Sequence, residues 1–170
     1  MVSSKTKTPL PKDAAAGKRF AIVVSRYHEE LTDELLAGAQ NALKALGAKD
    51  DALSIFWVPG AFEIPSAARA VVQHRDVDAV VCLGVILKGE TPHNAYIAHE
   101  VARGISQIHA ATGIPATFGV LTPDTLEQAK ARAGGPKGNK GAEAAEAAVA
   151  MIHLLNEIKQ GPRKQKSVGF

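Results

Sequence analysis

The chain has 170 residues, 46% of them apolar and 22% charged, a length and apolar content that let one domain bury a core and that exclude wholesale disorder. A single cysteine excludes an internal disulfide framework, and the lack of any run of 18 apolar residues excludes a membrane-spanning helix. The net charge of +3 comes largely from Lys159, Arg163, Lys164 and Lys166, which read as a solvated tail and not as a nucleic-acid-binding face.

Met1 to Lys18 mixes Ser, Thr, Lys, Pro and Ala without periodicity, as expected of a flexible arm or of a strand lent to a neighbour. It lacks the apolar centre of a signal peptide, so the cytoplasm is the expected location. A domain is expected over residues 19–158, followed by a basic tail over 159–170. Phe20 to Val24 is a short continuous apolar run, the pattern of a strand covered on both faces. Leu31, Leu35, Ala39, Ala42, Leu43 and Leu46 then recur at helical spacing and stop at Gly47.

The alternation repeats. Leu53 to Val58 predicts a strand, Ile64 to about Gln73 a helix, and Ala79 to Leu87 a strand in which Cys82 reads as a buried small hydrophobe. A helix is predicted from Pro92 to Thr112, with Thr91 suited to the N-cap and Pro92 to the first helical position. Pro115 to Leu121 is a fourth strand, Asp124 with Glu127 resembles a capping box opening a short helix, and an alanine-rich helix spans about Gly141 to Ile158. Regular βαβα order implies right-handed crossovers, hence a three-layer α/β/α sandwich around a parallel four-stranded sheet of flavodoxin-like type. So small a sheet could be completed by oligomerisation or by a neighbour's N-terminal arm.

Open parallel sheets bind ligands beyond the carboxyl ends of their strands. Those ends read Ser25-Arg26-Tyr27-His28, Val58-Pro59-Gly60-Ala61-Phe62-Glu63, Lys88-Gly89-Glu90-Thr91-Pro92-His93 and Leu121-Thr122-Pro123-Asp124. The third places His93 in the first turn of a helix, where unpaired N–H groups around Gly89, Glu90 and Thr91 offer a seat for phosphate. His93 is then either a proton-transfer group beside that seat or an ordinary surface histidine. The second loop offers an aromatic face and a carboxylate to a polar planar ligand; alternatively, Glu63 complements the helix dipole while Phe62 packs in the core. The stretch Arg132 to Gly141 is basic and glycine-rich, fit either to wrap an anion or to serve as a flexible connector, and its spacing misses both nucleotide motifs. His93 and His99 lack the i, i+4 spacing of a zinc helix and no Cys/His cluster occurs, so no metal is expected.

Four strings in this order, VPGAFEIP at Val58 to Pro65, KGETPH at Lys88 to His93, FGVLT at Phe118 to Thr122 and RAGGPKGNKG at Arg132 to Gly141, resemble the lumazine synthase family. The resemblance runs from about Phe20 to Ile158. It implies a transferase of riboflavin biosynthesis that condenses 5-amino-6-(D-ribitylamino)uracil with 3,4-dihydroxy-2-butanone 4-phosphate, releasing phosphate and water without a cofactor. It implies that Tyr27 lies on the pyrimidine ring, that Ala61, Phe62 and Glu63 hold the ring and ribityl chain, and that Val85, Ile86 and Leu87 continue that pocket. Glu90, Thr91 and Arg132 would hold the butanone phosphate with help from Lys140, His93 would transfer protons, and Phe118 would come from the adjacent subunit.

The resemblance further implies homopentamers, some of which assemble into shells of 60 subunits. No obvious insertion lengthens the loop from Gly134 to Gly141, which favours a shell. Two positions depart from the family pattern: Tyr27-His28 stands where Phe-Asn is common, and Lys88 where arginine is common, keeping the charge but losing the bidentate fork. Three rival readings stand beside this one. An archaeal-type riboflavin synthase is opposed by His93 and the Gly/Lys loop. A flavodoxin-like or receiver-type module is opposed by Ser25-Arg26 at the end of the first strand. The third is a shell protein that binds ribityl ligands without catalysis.

Overall fold

Every residue of Phe20–Ser25 (β1) is buried, because this strand lies inside the sheet and helices cover both its faces. The structure, a computed structural model, describes residues 10–161. After β1 come α1 (Glu29–Ala45), β2 (Leu53–Val58), α2 (Ile64–His74), β3 (Ala79–Val85), α3 (His93–Thr112), β4 (Ala116–Leu121), α4 (Leu126–Arg132) and α5 (Lys140–Gln160). The four strands form a parallel sheet in the order β2-β1-β3-β4. Successive side chains of a strand point to opposite faces, so two cores result. Phe20, Ile22, Val24, Val81 and Leu83 meet Leu35, Leu43, Ala145 and Val149 of α1 and α5. Ala21, Val23, Val80 and Cys82 meet Ile64, Ala68, Val101 and Ile105 of α2 and α3. The architecture is the expected three-layer α/β/α sandwich.

The ends of several elements differ from expectation. Pro92, not Thr91, occupies the N-cap of α3, and Thr91 is exposed without capping the helix. In α4 the cap is Thr125, which accepts from the Gln128 N–H at 3.3 Å, while Gln128 Oε1 accepts from the Asp124 N–H at 3.0 Å. The cap is therefore Thr125, one residue beyond the expected Asp124, and Gln128, not Glu127, reaches back, to the N–H of the residue before the cap. Strand β3 ends at Val85, where register with Leu121 of β4 stops, short of the expected Leu87, although the Ile86 N–H still donates to the Leu121 carbonyl at 2.8 Å.

Residues 1–9 and 162–170 lie outside the described residues, and with them the lent-strand expectation and the charges of Arg163, Lys164 and Lys166. From Leu10 to Lys18 the expected arm is packed: Ala15 is buried and donates its N–H to the Leu46 carbonyl at 2.7 Å. His153 Nε2 meets the Ala14 carbonyl at 2.7 Å, tying the same segment to α5.

The glycine-rich stretch after α4 is an ordered antiparallel ribbon, β5 (Ala133–Gly135) with β6 (Gly138–Asn139), in which Gly134 and Gly138 take the left-handed φ values of 108° and 85°. Asn139 then fastens the ribbon to α1. Its Oδ1 caps α5 by accepting from the Ala142 N–H at 3.1 Å, and its Nδ2 donates to the Glu34 carbonyl at 2.7 Å. The space for that side chain exists because Gly38 carries none, and Gly141 lies so close to the Leu35 carbonyl that a Cβ would collide with it.

Candidate active site

The strand order reverses direction at β1, which continues to β2 on one side while β3 lies on the other; the crevice at such a switch point is where open α/β sheets bind ligands. A cleft of about 420 Å³ opens there. The loops following β1 and β2, and the end of β3 with the loop that follows it, each supply part of its wall, through Tyr27, Ala61 to Glu63, and Val85 to Leu87 with Gly89 and Thr91, and α3 closes it with His93, Asn94 and Ile97.

Ala61, Val85 and Ile86 are buried and form an apolar floor. Beneath them, Gly84 cannot take a side chain without moving Ile64 or Ser25, since a Cβ would stand 3.0 Å from an atom of each. Tyr27 and Phe62 stand at the rim, 69% and 58% exposed, so Phe62 does not pack in the core. The Glu63 carboxylate accepts the Gly60 N–H at 3.0 Å, which shapes the 3₁₀ turn Ala61–Glu63 while the side chain still borders the cleft. Apolar floor, aromatic rim and a fixed carboxylate together suit a planar ligand with polar edges.

His93 is the first residue of α3 and is exposed on the cleft wall. N–H groups of a helix's first turn lack an acceptor from a preceding turn, so the start of α3 presents donors and a partial positive charge to the space that Gly89 and Thr91 also border. Glu90 is exposed on this loop but does not border the cleft. Asn94 and Ile97 are wall residues that sequence reasoning missed. Ile97 lies one turn beyond His93 on the same helix face, and that spacing was the available signal.

Phe118, Arg132 and Lys140 lie elsewhere. They line a second cleft of about 420 Å³ between the end of β4 and the start of α5, and no residue lines both clefts. Arg132 Nη1 donates to the Gln128 carbonyl at 3.1 Å, and Lys140 Nζ pairs with Glu143 at 2.5 Å. The phosphate grouping of Glu90 and Thr91 with Arg132 and Lys140 is therefore not assembled within one chain. The cause is sheet order: β4 is an edge strand, and its loop opens beyond the crevice between β1 and β3. The two loops are linked at their bases, where the Lys88 N–H donates to the Pro123 carbonyl at 3.1 Å and Lys88 Nζ pairs with Asp124 at 3.3 Å.

Cys82 lies fully buried in β3, and desolvation pushes its thiol up to about 12. Among the described residues no three His, Cys, Asp or Glu side chains gather as metal ligands, and no helix is long and apolar enough to cross a membrane. A family model described as 6,7-dimethyl-8-ribityllumazine synthase matches residues 17–156, a span that begins before β1 and reaches into the last turns of α5.

Proposed function

The chain belongs to the 6,7-dimethyl-8-ribityllumazine synthase family, and we propose that it condenses 5-amino-6-(D-ribitylamino)uracil with 3,4-dihydroxy-2-butanone 4-phosphate, releasing phosphate and water. The observation that carries this reading is the cleft at the switch point, where an aromatic rim and Glu63 face the start of α3 and His93. The pyrimidine ring lies against Tyr27 and Phe62 over the floor of Ala61, Val85 and Ile86, with Leu87 extending the wall. The phosphate sits at the backbone of Gly89 and Thr91, the residues of that loop that border the cleft.

The aryl amine attacks the butanone carbonyl to give an imine with loss of one water, phosphate leaves by elimination, and ring closure onto the remaining carbonyl expels a second water. Each stage moves a proton within reach of His93, and a positioned acid–base group contributes about 10²–10⁴-fold. No covalent nucleophile is required, so holding the two reactants in register supplies much of the remaining acceleration.

The second cleft belongs to the same site by way of a neighbouring subunit. Phe118, Arg132 and Lys140 of one chain complete the crevice of the next, which makes a ring of subunits the unit of activity. We take that ring to be a pentamer, able to build a shell of 60 chains, in the cytoplasm. A head-to-tail ring brings two different patches of neighbouring chains together at every interface.

The test is to mix assembled protein with both substrates and follow lumazine absorbance and fluorescence against the uncatalysed background. Acceleration that falls on substituting His93 is the expected result. An assembled protein that binds ribityl ligands without accelerating the reaction would replace the synthase with a non-catalytic shell protein, and conversion of lumazine to riboflavin would replace it with a riboflavin synthase.

A further inference from the structure

We propose that His28 is a positioning residue for the site, holding the Tyr27 ring at the rim of the cleft; the inference rests on the ribityl-pyrimidine reading given above. His28 is the one non-glycine residue with positive φ among the described residues, at φ 62° and ψ 50°. It occupies the N-cap of α1, yet its side chain makes no capping hydrogen bond. A left-handed conformation is unfavourable for a residue with a Cβ. Glycine would avoid that cost, and Asn, Asp or Ser could recover a capping bond. Helix initiation therefore does not account for a histidine at this position.

Its side chain does make one contact of defined geometry. The imidazole and the Tyr27 ring form a T-shaped pair, with centroids 4.8 Å apart and planes at 79°, the arrangement in which the edge of one ring meets the negative face of the other. Side chains of consecutive residues point apart in a strand and in a helix, and the left-handed turn between β1 and α1 is what lets these two meet. The turn itself is anchored. The Arg26 N–H continues the β1–β2 ladder by donating to the Val58 carbonyl at 2.9 Å, and the Leu31 and Thr32 N–H groups bond the His28 carbonyl. The Arg26 guanidinium lies over the Trp57 ring at 5.1 Å and pairs with Glu29 at 3.4 Å. Only Tyr27 projects from this anchored turn into the cleft wall with most of its surface exposed. A ring so exposed has many orientations, and the imidazole restricts them before ligand arrives.

Five variants separate a positioning role from a structural one. His28→Gly relieves the backbone strain and His28→Ala retains it, so the glycine variant should have the higher unfolding midpoint of the two. Both remove the ring contact, so both should raise KM for the ribitylamino-pyrimidine about 3- to 10-fold, the range for an aromatic pair. KM for the butanone phosphate, whose seat is on the other side of the cleft, should stay within twofold of the parent. His28→Phe, which restores a ring edge, should recover most of the loss, and His28→Ala should have no further effect in a Tyr27→Ala background.

The same series is read by equilibrium binding of 6,7-dimethyl-8-ribityllumazine to the assembled protein. That measurement needs no turnover, so it decides the inference even if the parent proves inactive. KM and Kd that follow the unfolding midpoint, or an undiminished effect of His28→Ala without Tyr27, would overturn it.

Discussion

Co-assembly of a chain carrying His93→Ala with one carrying Arg132→Ala should restore activity that neither variant has alone. His93 lines the cleft over β1 to β3, Arg132 lines the cleft beyond β4, and the two share no residue. If each working site pairs the first cleft of one chain with the second cleft of its neighbour, each variant supplies one intact half. At equal mixing, the first cleft is intact in half of the chains and the second cleft is intact in the other half, so about one quarter of the sites are whole. That fraction does not depend on ring size. The backgrounds are low: loss of the acid–base group slows turnover without abolishing it, by about 10²–10⁴-fold. Removing a charged hydrogen-bond donor costs about 1.5–3 kcal/mol, or roughly 10- to 150-fold. The assay is lumazine formation by chains unfolded and refolded together, beside the same variants refolded apart and then combined. About a quarter of parental turnover in the first sample, and none of that gain in the second, is the expected result. Activity no higher than the mean of the two variants would refute a site divided between subunits.

Gly141→Ala should destabilise the fold by about 3 kcal/mol, since its Cβ would collide with the Leu35 main-chain carbonyl and not with a side chain that can swing away. A thermal melt should show a drop of roughly 6–12 °C, and an unchanged midpoint would mean that α1 and α5 can part without cost. Asn139→Ala removes the α5 cap and the bond to the Glu34 carbonyl, and should lose about 1–2 kcal/mol in a denaturant titration. Cys82, whose thiol is held at about 12 by burial, should not react with a thiol reagent at pH 8 until the protein is unfolded. Prompt labelling of the native protein would show that β3 opens readily.

Local chemistry made much of this molecule legible in its sequence. The unbroken apolar run of β1 announces a strand covered on both faces, and the spacing from Leu31 to Leu46 announces α1 and its stop at Gly47, where φ is 93°. Four strand-to-helix loops could be found because each follows an apolar strand and carries polar or aromatic residues. Those patterns repeat within a few residues, so they survive without knowledge of the partner elements.

Strand order is different, because it follows from which surfaces pack across the chain. It put the loops of β1, β2 and β3 around one crevice and left Phe118, Arg132 and Lys140 on the far edge, although all four motifs look equivalent in sequence. Neither the left-handed turn that sets His28 against Tyr27 nor the close approach of Gly141 to Leu35 is a property of nearby residues alone. Each depends on where a helix must start to cover a strand it does not adjoin in sequence, and only tertiary packing decides that.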